Sequence, residues 1–174
     1  MHRTDGLEVE RKWLLSAPPT ISELEALGAK PVEIEQVYLT AGADEGGRRI
    51  RRLRTAEGET FVLTEKRGHG VTREERESAI DGETYASLLA DADPTRRPIR
   101  KVRQRIAHGR HTIELDVFSD PPDLVLLEVE TDAPTDEVDP WPSAIGKLIV
   151  REVTDERAYE NATLAIVRPG GSAR

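Results

Sequence analysis

Charged residues recur at every second position in this chain, first as Glu8, Glu10 and Lys12, then as Glu75/Glu77, Lys101/Arg103, Glu114/Asp116 and Glu128/Glu130. In an extended strand alternate side chains share a face, so each set points to one side of a sheet. One such strand would be an ordinary surface with its charges in water. Several of them in 174 residues imply a fold with a charged interior. That is a severe constraint, because unpaired buried charge costs several kcal/mol per ion, on the order given for desolvated ion pairs.

The remaining pattern is read as mostly strands. Extended segments are expected at 7–15, 33–40, 48–55, 60–67, 71–80, 99–107, 111–118 and 124–131, from their alternation and from the turn residues between them. Gly and Asp at 42–47, Ala56-Glu57-Gly58-Glu59, Gly68-His69-Gly70 and His108-Gly109-Arg110 supply turns or loops. A helix is expected near 20–27, with Ser22 and Glu25 as a capping box and Gly28 as its stop. Tyr85, Leu88, Leu89 and Ala92 mark another over 83–92. Asp139-Pro140 begins a third, with Ile145, Leu148 and Ile149 on one face, and Thr154/Asp155 cap a last one carrying Tyr159 and Leu164. About eight strands joined by hairpin-length links favour an antiparallel sheet over βαβ units. Closure into a barrel would remove exposed edges and enclose space for one small ligand. The expected fold is α+β, mostly β: a closed eight-stranded antiparallel barrel, or tunnel, with peripheral helices and a C-terminal helix. Residues 1–167 read as one domain and 168–174 as a disordered tail.

Composition narrows the partners. The chain has 33 acids against 25 Lys and Arg, for a net charge of −8. This argues against non-specific binding to nucleic acid or anionic membranes, which needs a basic surface. The chain contains no cysteine, which removes disulfides, thiolate metal sites and cysteine nucleophiles. No signal-like or membrane-spanning run is present, so a cytoplasmic protein is expected. The four histidines lack zinc-protease spacing, and Arg96-Arg97 reads as a solvated turn. The Gly42–Gly47 stretch is not a P-loop, because no Gly-Lys-Ser/Thr follows it.

A cavity lined by both clustered carboxylates and clustered bases suits one class of ligand. Arg and Lys grip phosphate oxygens, while carboxylates lacking a nearby base bind a hard cation. Together they fit a polyphosphate bridged to the protein by divalent metal. Oxygen-only ligands favour Mg²⁺ or Mn²⁺ over zinc.

In order along the chain, these residues resemble the CYTH domains, also called triphosphate tunnel metalloenzymes. Glu8-Val9-Glu10-Arg11-Lys12 matches the family's Glu-x-Glu-x-Lys signature. Gln36-Val37-Tyr38-Leu39, Phe61–Lys66, Glu75/Glu77, Lys101/Arg103, Glu114-Leu115-Asp116-Val117-Phe118 and Leu127-Glu128-Val129-Glu130 follow in family order. Glu152-Val153-Thr154-Asp155, with Tyr159 and Asn161, fits the closing helix, so the resemblance covers about residues 7–165. Val37 departs from the usual Gly. Arg48–Arg54 holds two overlapping Arg-x-Arg pairs, and a one-residue slip exchanges the faces. Alignment with the Phe61–Lys66 hairpin partner favours Arg52/Arg54 over Arg49/Arg51.

The resemblance implies a tunnel that binds a linear triphosphate. Lys12, Arg52, Arg54, Lys66, Lys101 and Arg103 would hold phosphate oxygens. Glu128 and Glu130, with Glu8, Glu10, Glu75, Glu77, Glu114 and Asp116, would supply metal ligands for two Mg²⁺ or Mn²⁺ ions. Lys12 and Tyr38 would orient substrate or leaving group. The expected function is metal-dependent hydrolysis of a linear triphosphate, inorganic triphosphate to pyrophosphate and phosphate first, with nucleoside and thiamine triphosphates as further substrates. The alternatives are a class IV-type adenylate cyclase and a non-catalytic polyphosphate- or nucleotide-binding module. The partner expected is a small-molecule triphosphate, not nucleic acid or membrane, and the protein a monomer or homodimer.

Overall fold

The computed structural model describes residues 9–40, 47–67, 74–131 and 137–166, with the backbone alone at 9, 66, 67, 74 and 75. In chain order its elements are β1 (Val9–Leu15), α1 (Ile21–Ala26), β2 (Lys30–Leu39), β3 (Arg48–Thr55), β4 (Gly58–Arg67), β5 (Glu74–Ile80), α2 (Gly82–Leu88), β6 (Ile99–His108), β7 (His111–Asp120), β8 (Val125–Thr131), α3 (Ser143–Gly146), β9 (Ile149–Glu152) and α4 (Asn161–Leu164). The described residues fall into two compact units, one built from 9–32 and 101–159, the other from 33–100 and 160–166.

In the first unit the strand order is β6-β7-β8-β1-β9. The antiparallel β1–β8 ladder sets Glu10 opposite Glu130 and Lys12 opposite Glu128, and the β7–β8 ladder sets Glu114 opposite Glu128. Cross-strand partners point to the same side, so these charges line one face. The alternate positions Trp13, Leu15, Ile113, Leu115, Val125, Leu127 and Val129 are buried on the other face with Ile106 and Ile145. Leu24, Leu27 and Trp141 pack against this cluster, and the Trp13 and Trp141 rings meet edge to face at 4.9 Å. Truncating fully buried Leu127 to Ala would cost about 3 kcal/mol in lost transfer and cavity terms.

In the second unit the order is β5-β4-β3-β2. Val37, Leu39 and Ile50 form its apolar side with Tyr85 from α2, joined by Phe61, Leu63, Ile80, Leu88 and Ala92. Gln36 and Tyr38 lie on the opposite side, across from Arg51 and Arg49. Both units thus carry one apolar and one polar face.

The hairpins at Gly58 and Gly109 form where expected, and both glycines have positive φ. The first helix ends at Leu27, followed by Gly28 at φ 66°. Its capping box is Thr20 with Glu23, not Ser22 with Glu25: the Glu23 amide donates to Thr20 Oγ1 at 3.3 Å and the Thr20 amide to the Glu23 carboxylate at 2.9 Å. The helix expected over 83–92 stops at Leu88 and tightens into a 3-10 turn over Leu89–Asp91.

The C-terminal third departs furthest from expectation. The helix expected from Asp139-Pro140 is a single turn, Ser143–Gly146, and Ile149 begins strand β9, which pairs with β1. The described strands therefore number nine rather than eight. Thr154 does not cap a helix, because its hydroxyl accepts the Lys12 amide at 3.0 Å. Tyr159 lies in a 3-10 turn and Leu164 in the short α4. Neither unit's ladder closes on itself among the described residues. The turns expected at 42–47 and 68–70, the start of the 71–80 strand and the tail from 168 lie wholly or mainly outside the described residues.

Candidate functional site

On the charged face of the first unit, acids and bases interlock. Lys12 Nζ lies 3.2 Å from Glu10 and 3.0 Å from Glu128. Arg103 donates to both oxygens of Asp116 at 2.7 Å and to Glu128 at 2.7 Å, and also pairs with Glu114. Lys101 Nζ contacts Asp116 at 2.5 Å and stands 5.0 Å over the Phe118 ring. Glu130 is exposed at the end of the row, while Asp116, Lys101 and Glu128 are buried. Five described acids and three bases from the expected set share this face: Glu10, Glu114, Asp116, Glu128 and Glu130 with Lys12, Lys101 and Arg103.

Burial sets the electrostatics. Desolvation, then the charge of Glu128, pushes the Glu10 carboxyl above the usual range, and Lys12 offsets this only in part. Burial would depress the Lys12 ammonium, but Glu128 and Glu10 outweigh it and hold Lys12 protonated. Burial likewise opposes ionised Asp116, yet Lys101 and Arg103 hold it below the ordinary carboxylate range. Arg103 is strongly held as a cation, with Asp116, Glu128 and Glu114 overcoming its desolvation. Glu10 nonetheless keeps its side chain 53% exposed, so water tempers both the desolvation and the repulsion from Glu128.

The polar face of the second unit centres on Tyr38. Its hydroxyl accepts from Gln36 Nε2 at 2.9 Å, and the Arg96 guanidinium stacks 4.8 Å from its ring centroid. Burial pushes the phenol up, opposed by Arg49 and Arg96. Arg51 pairs with Glu77, which also accepts from the buried Thr64 hydroxyl at 3.2 Å.

The register corrects the Arg pair. Arg49 and Arg51 fall opposite Tyr38 and Gln36 on one side and Thr64 and Val62 on the other, in step with strand position 66. Arg52 and Arg54 fall opposite Phe61 and Glu59, on the face that buries Ile50. There Arg52 meets Glu35 at 3.3 Å, and Arg54 meets Glu59 at 2.7 Å and Glu33 at 3.3 Å. Hairpin length alone could not decide this, since both pairs alternate correctly and only the pairing register separates them.

Lys12 and Tyr38 lie in different units. Glu8 lies outside the described residues, as do the side chains of Lys66 and Glu75, whose backbones pair with each other. Three residues to which the sequence assigned no role stand beside Tyr38 or on its face. Gln36 and Thr64 are buried polar groups on the Tyr38 face, and their alternation with Tyr38 and Lys66 was an available signal. Arg96, read as a solvated turn, left no local signal of its stacking partner.

Whether this set fits a divalent cation can be judged from its donors. Among the described residues no three His, Cys, Asp or Glu side chains converge as a metal cluster, because Lys12 and Arg103 occupy the ground between the carboxylates. Arg103 already bridges Glu114 and Glu128, whereas Glu10 opposite Glu130 sets like charges across the β1–β8 ladder, with Lys12 paired to Glu10. The donors are all hard oxygens, so the chemistry of the set fits Mg²⁺ or Mn²⁺.

No family model matches the chain, and no curated protein does. Solved structures do match. The hypothetical protein NE1496 aligns at TM-score 0.61 and 26% identity, covering 94% of this chain and 100% of that one. A second structure, of the inorganic triphosphatase NE1496, aligns at 0.60 and 25%, covering 94% and 97%. HpAC1 from Hippeastrum, a candidate adenylyl cyclase with a dominant triphosphatase activity, aligns at 0.50 and 18%, covering 74% and 81%. At that identity the likeness to HpAC1 is one of fold alone.

Proposed function

We propose, from the premise that this chain has the CYTH or triphosphate tunnel metalloenzyme fold, that it is a metal-dependent hydrolase of a linear triphosphate, converting inorganic triphosphate to pyrophosphate and phosphate. The observation that carries the reading is the shared strand face on which Glu10, Glu114, Asp116, Glu128 and Glu130 alternate with Lys12, Lys101 and Arg103. Likeness to an inorganic triphosphatase across nearly the whole chain supports it.

In this reading Lys12, Lys101 and Arg103 bind phosphate oxygens, and Arg49 and Arg51 replace Arg52 and Arg54 as the guanidinium pair that assists them. Lys66 is carried as a further phosphate ligand. Glu128, Glu130 and Glu10 hold the cations, with Glu8, Glu75, Glu77, Glu114 and Asp116 in support. Bound Mg²⁺ or Mn²⁺, two ions with substrate present, would neutralise phosphate charge and activate water. Arg103 is held by Asp116 through Nε and Nη2, by Glu128 through Nη2 and by Glu114 through Nη1, so its guanidinium plane is fixed before substrate arrives. Lys12 is kept protonated by two carboxylates, so it acts as a cation and not as a base. Tyr38, its phenol pushed up by burial, holds its proton and donates it in a hydrogen bond to a phosphate oxygen. Substrate entry would draw Lys12 and Arg103 toward phosphate and release Glu10 and Glu128 for metal.

The proposal includes a tunnel for the triphosphate, a single domain over 1–167 with a disordered tail over 168–174, a cytoplasmic location and a monomer or homodimer. No helix among the described residues is long and apolar enough to cross a membrane.

The test is incubation with inorganic triphosphate, ATP, thiamine triphosphate, pyrophosphate or longer polyphosphate, each with Mg²⁺ or Mn²⁺. Phosphate, pyrophosphate and cyclic AMP are measured separately. Phosphate and pyrophosphate released from inorganic triphosphate are expected. Cyclic AMP from ATP with no phosphate from triphosphate would establish the cyclase instead, and binding without turnover the non-catalytic module.

A further inference from the structure

The segment 93–97 touches Tyr38 on one side and the C-terminal helix on the other. The Asp93 amide donates to the Tyr38 carbonyl at 2.9 Å, and the Arg96 guanidinium covers the Tyr38 ring at 4.8 Å. From the same guanidinium, Nη1 donates to the Ala162 carbonyl in α4 at 3.3 Å. Arg97 adds its backbone amide to Ala165 O at 2.8 Å and its Nε to Leu164 O at 3.3 Å. A β-bridge joins Arg96 to Ile166. Carbonyls at a helix end lack intrahelical donors, so arginines that satisfy them fix the helix and are themselves fixed. Asp93 steadies Arg96 further at 3.4 Å, and its own carboxylate is held by the Thr95 amide and hydroxyl.

We propose that Arg96 is a positioning residue through which α4 fixes the Tyr38 ring. A guanidinium that lies over a ring and also serves a helix-end carbonyl cannot shift without losing one of the two. Loosening α4 therefore loosens Tyr38, even though no residue of α4 need touch substrate. In this role Arg96 acts through Tyr38: its guanidinium lies over the ring, its Nη1 serves Ala162 and its Nε lies 3.4 Å from Asp93. The consequence for turnover rests on the triphosphatase reading, but the linkage does not.

The test is an ultraviolet titration of phenolate absorbance on the full chain without ligand. The chain has three tyrosines, and Tyr38→Phe identifies the Tyr38 component. Around that phenol stand Arg49, Arg96 and Gln36. Arg96→Gln removes a cation from a partly exposed aromatic face and is expected to raise the Tyr38 transition by about half a pH unit. Thr163→Pro, and the milder Thr163→Gly, disturb α4 alone. They should shift the transition the same way and add nothing to Arg96→Gln. A Tyr38 transition unmoved by either α4 variant in a folded protein overturns the proposal, as does additivity of the two lesions. If the parent protein hydrolyses no triphosphate while the titration shifts as expected, the functional reading fails and the linkage stands. If it hydrolyses triphosphate while the titration is unmoved, the linkage fails alone.

Discussion

Lys12 and Glu128 face each other across the β1–β8 ladder, with the ammonium 3.0 Å from a carboxylate oxygen in a pair only 12% and 6% exposed. The same carboxylate takes Arg103 at 2.7 Å through its other oxygen, so one buried acid compensates two cations. This makes Glu128 both a structural hub and, in the proposed function, the acid that must change partners when metal and triphosphate arrive.

Glu128→Gln should therefore cost stability and activity together. Removing one partner of a buried pair costs about 3 kcal/mol, the lower end for such lesions because Arg103 keeps Asp116 and Glu114. Triphosphate turnover should fall at least about 100-fold, as for loss of a metal-holding group. Phosphate release and thermal melts check the two effects, and full activity would remove Glu128 from the site.

Glu10 carries the opposite sign. A carboxyl whose folded pKa is raised stabilises the fold below the unfolded value of 4.5 and loses that contribution as pH rises through the folded value. The Glu10 side chain is 53% exposed, so solvent screens most of this effect. With chelator present, Glu10→Gln is expected to raise the melting temperature at pH 7 by no more than about 1 °C. Well below 4.5, where the carboxyl is protonated in both the folded and the unfolded chain, parent and variant should melt together. A Gln variant less stable at pH 7 would mean that the Lys12 contact outweighs the desolvation and the repulsion from Glu128.

Asp116 is held below its ordinary 3.8 by Lys101 and Arg103 despite burial. Its contribution is present above 3.8 and disappears as pH falls through the lower folded value. Asp116→Asn leaves Lys101 buried without its counter-charge, at a cost of about 3–5 kcal/mol, or roughly 10 °C in melting temperature. Adding Lys101→Met should recover part of that loss. No recovery in the double variant would show that Asp116 acts through Arg103 alone.

The two Arg pairs can be separated by kinetics. Arg51→Ala, on the Tyr38 face, should raise KM for triphosphate by about 10-fold or more, the loss expected for a charge-assisted phosphate contact. Arg54→Ala, on the opposite face with Glu33 and Glu59, should leave KM within about 2-fold, as expected of a surface salt bridge. The reverse ranking would restore Arg54 to the site.

Thr20→Ala tests the corrected helix start. Loss of the Thr20–Glu23 box should cost about 1 kcal/mol, whereas Ser22→Ala should cost less than half of that. Denaturant unfolding of the two variants gives the comparison.

Period-two charge was legible because it is a local property. Glu10, Lys12, Lys101, Arg103, Glu114, Asp116, Glu128 and Glu130 could be assigned to shared strand faces from their alternation, and the ladders place them side by side. Turn glycines 58 and 109 were legible for the same reason, since a positive φ is a requirement of one residue. The tract 139–165 was misread because short apolar runs carry no decisive period. Ile145 and Ile149 suit a helix as well as a turn followed by a strand, and pairing of Ile149 with Leu15 decides for the strand.

By itself, then, the sequence determined which residues alternate, which elements they form in the main, and that the charges must meet one another. Only the tertiary structure decided which parity of Arg48–Arg54 faces Tyr38, because a strand reads the same in both registers until a neighbour fixes one. It also decided that Arg96 stacks on Tyr38 from fifty-eight positions away. Contacts between distant segments depend on how strands pair and helices dock, and no periodicity within either segment encodes them.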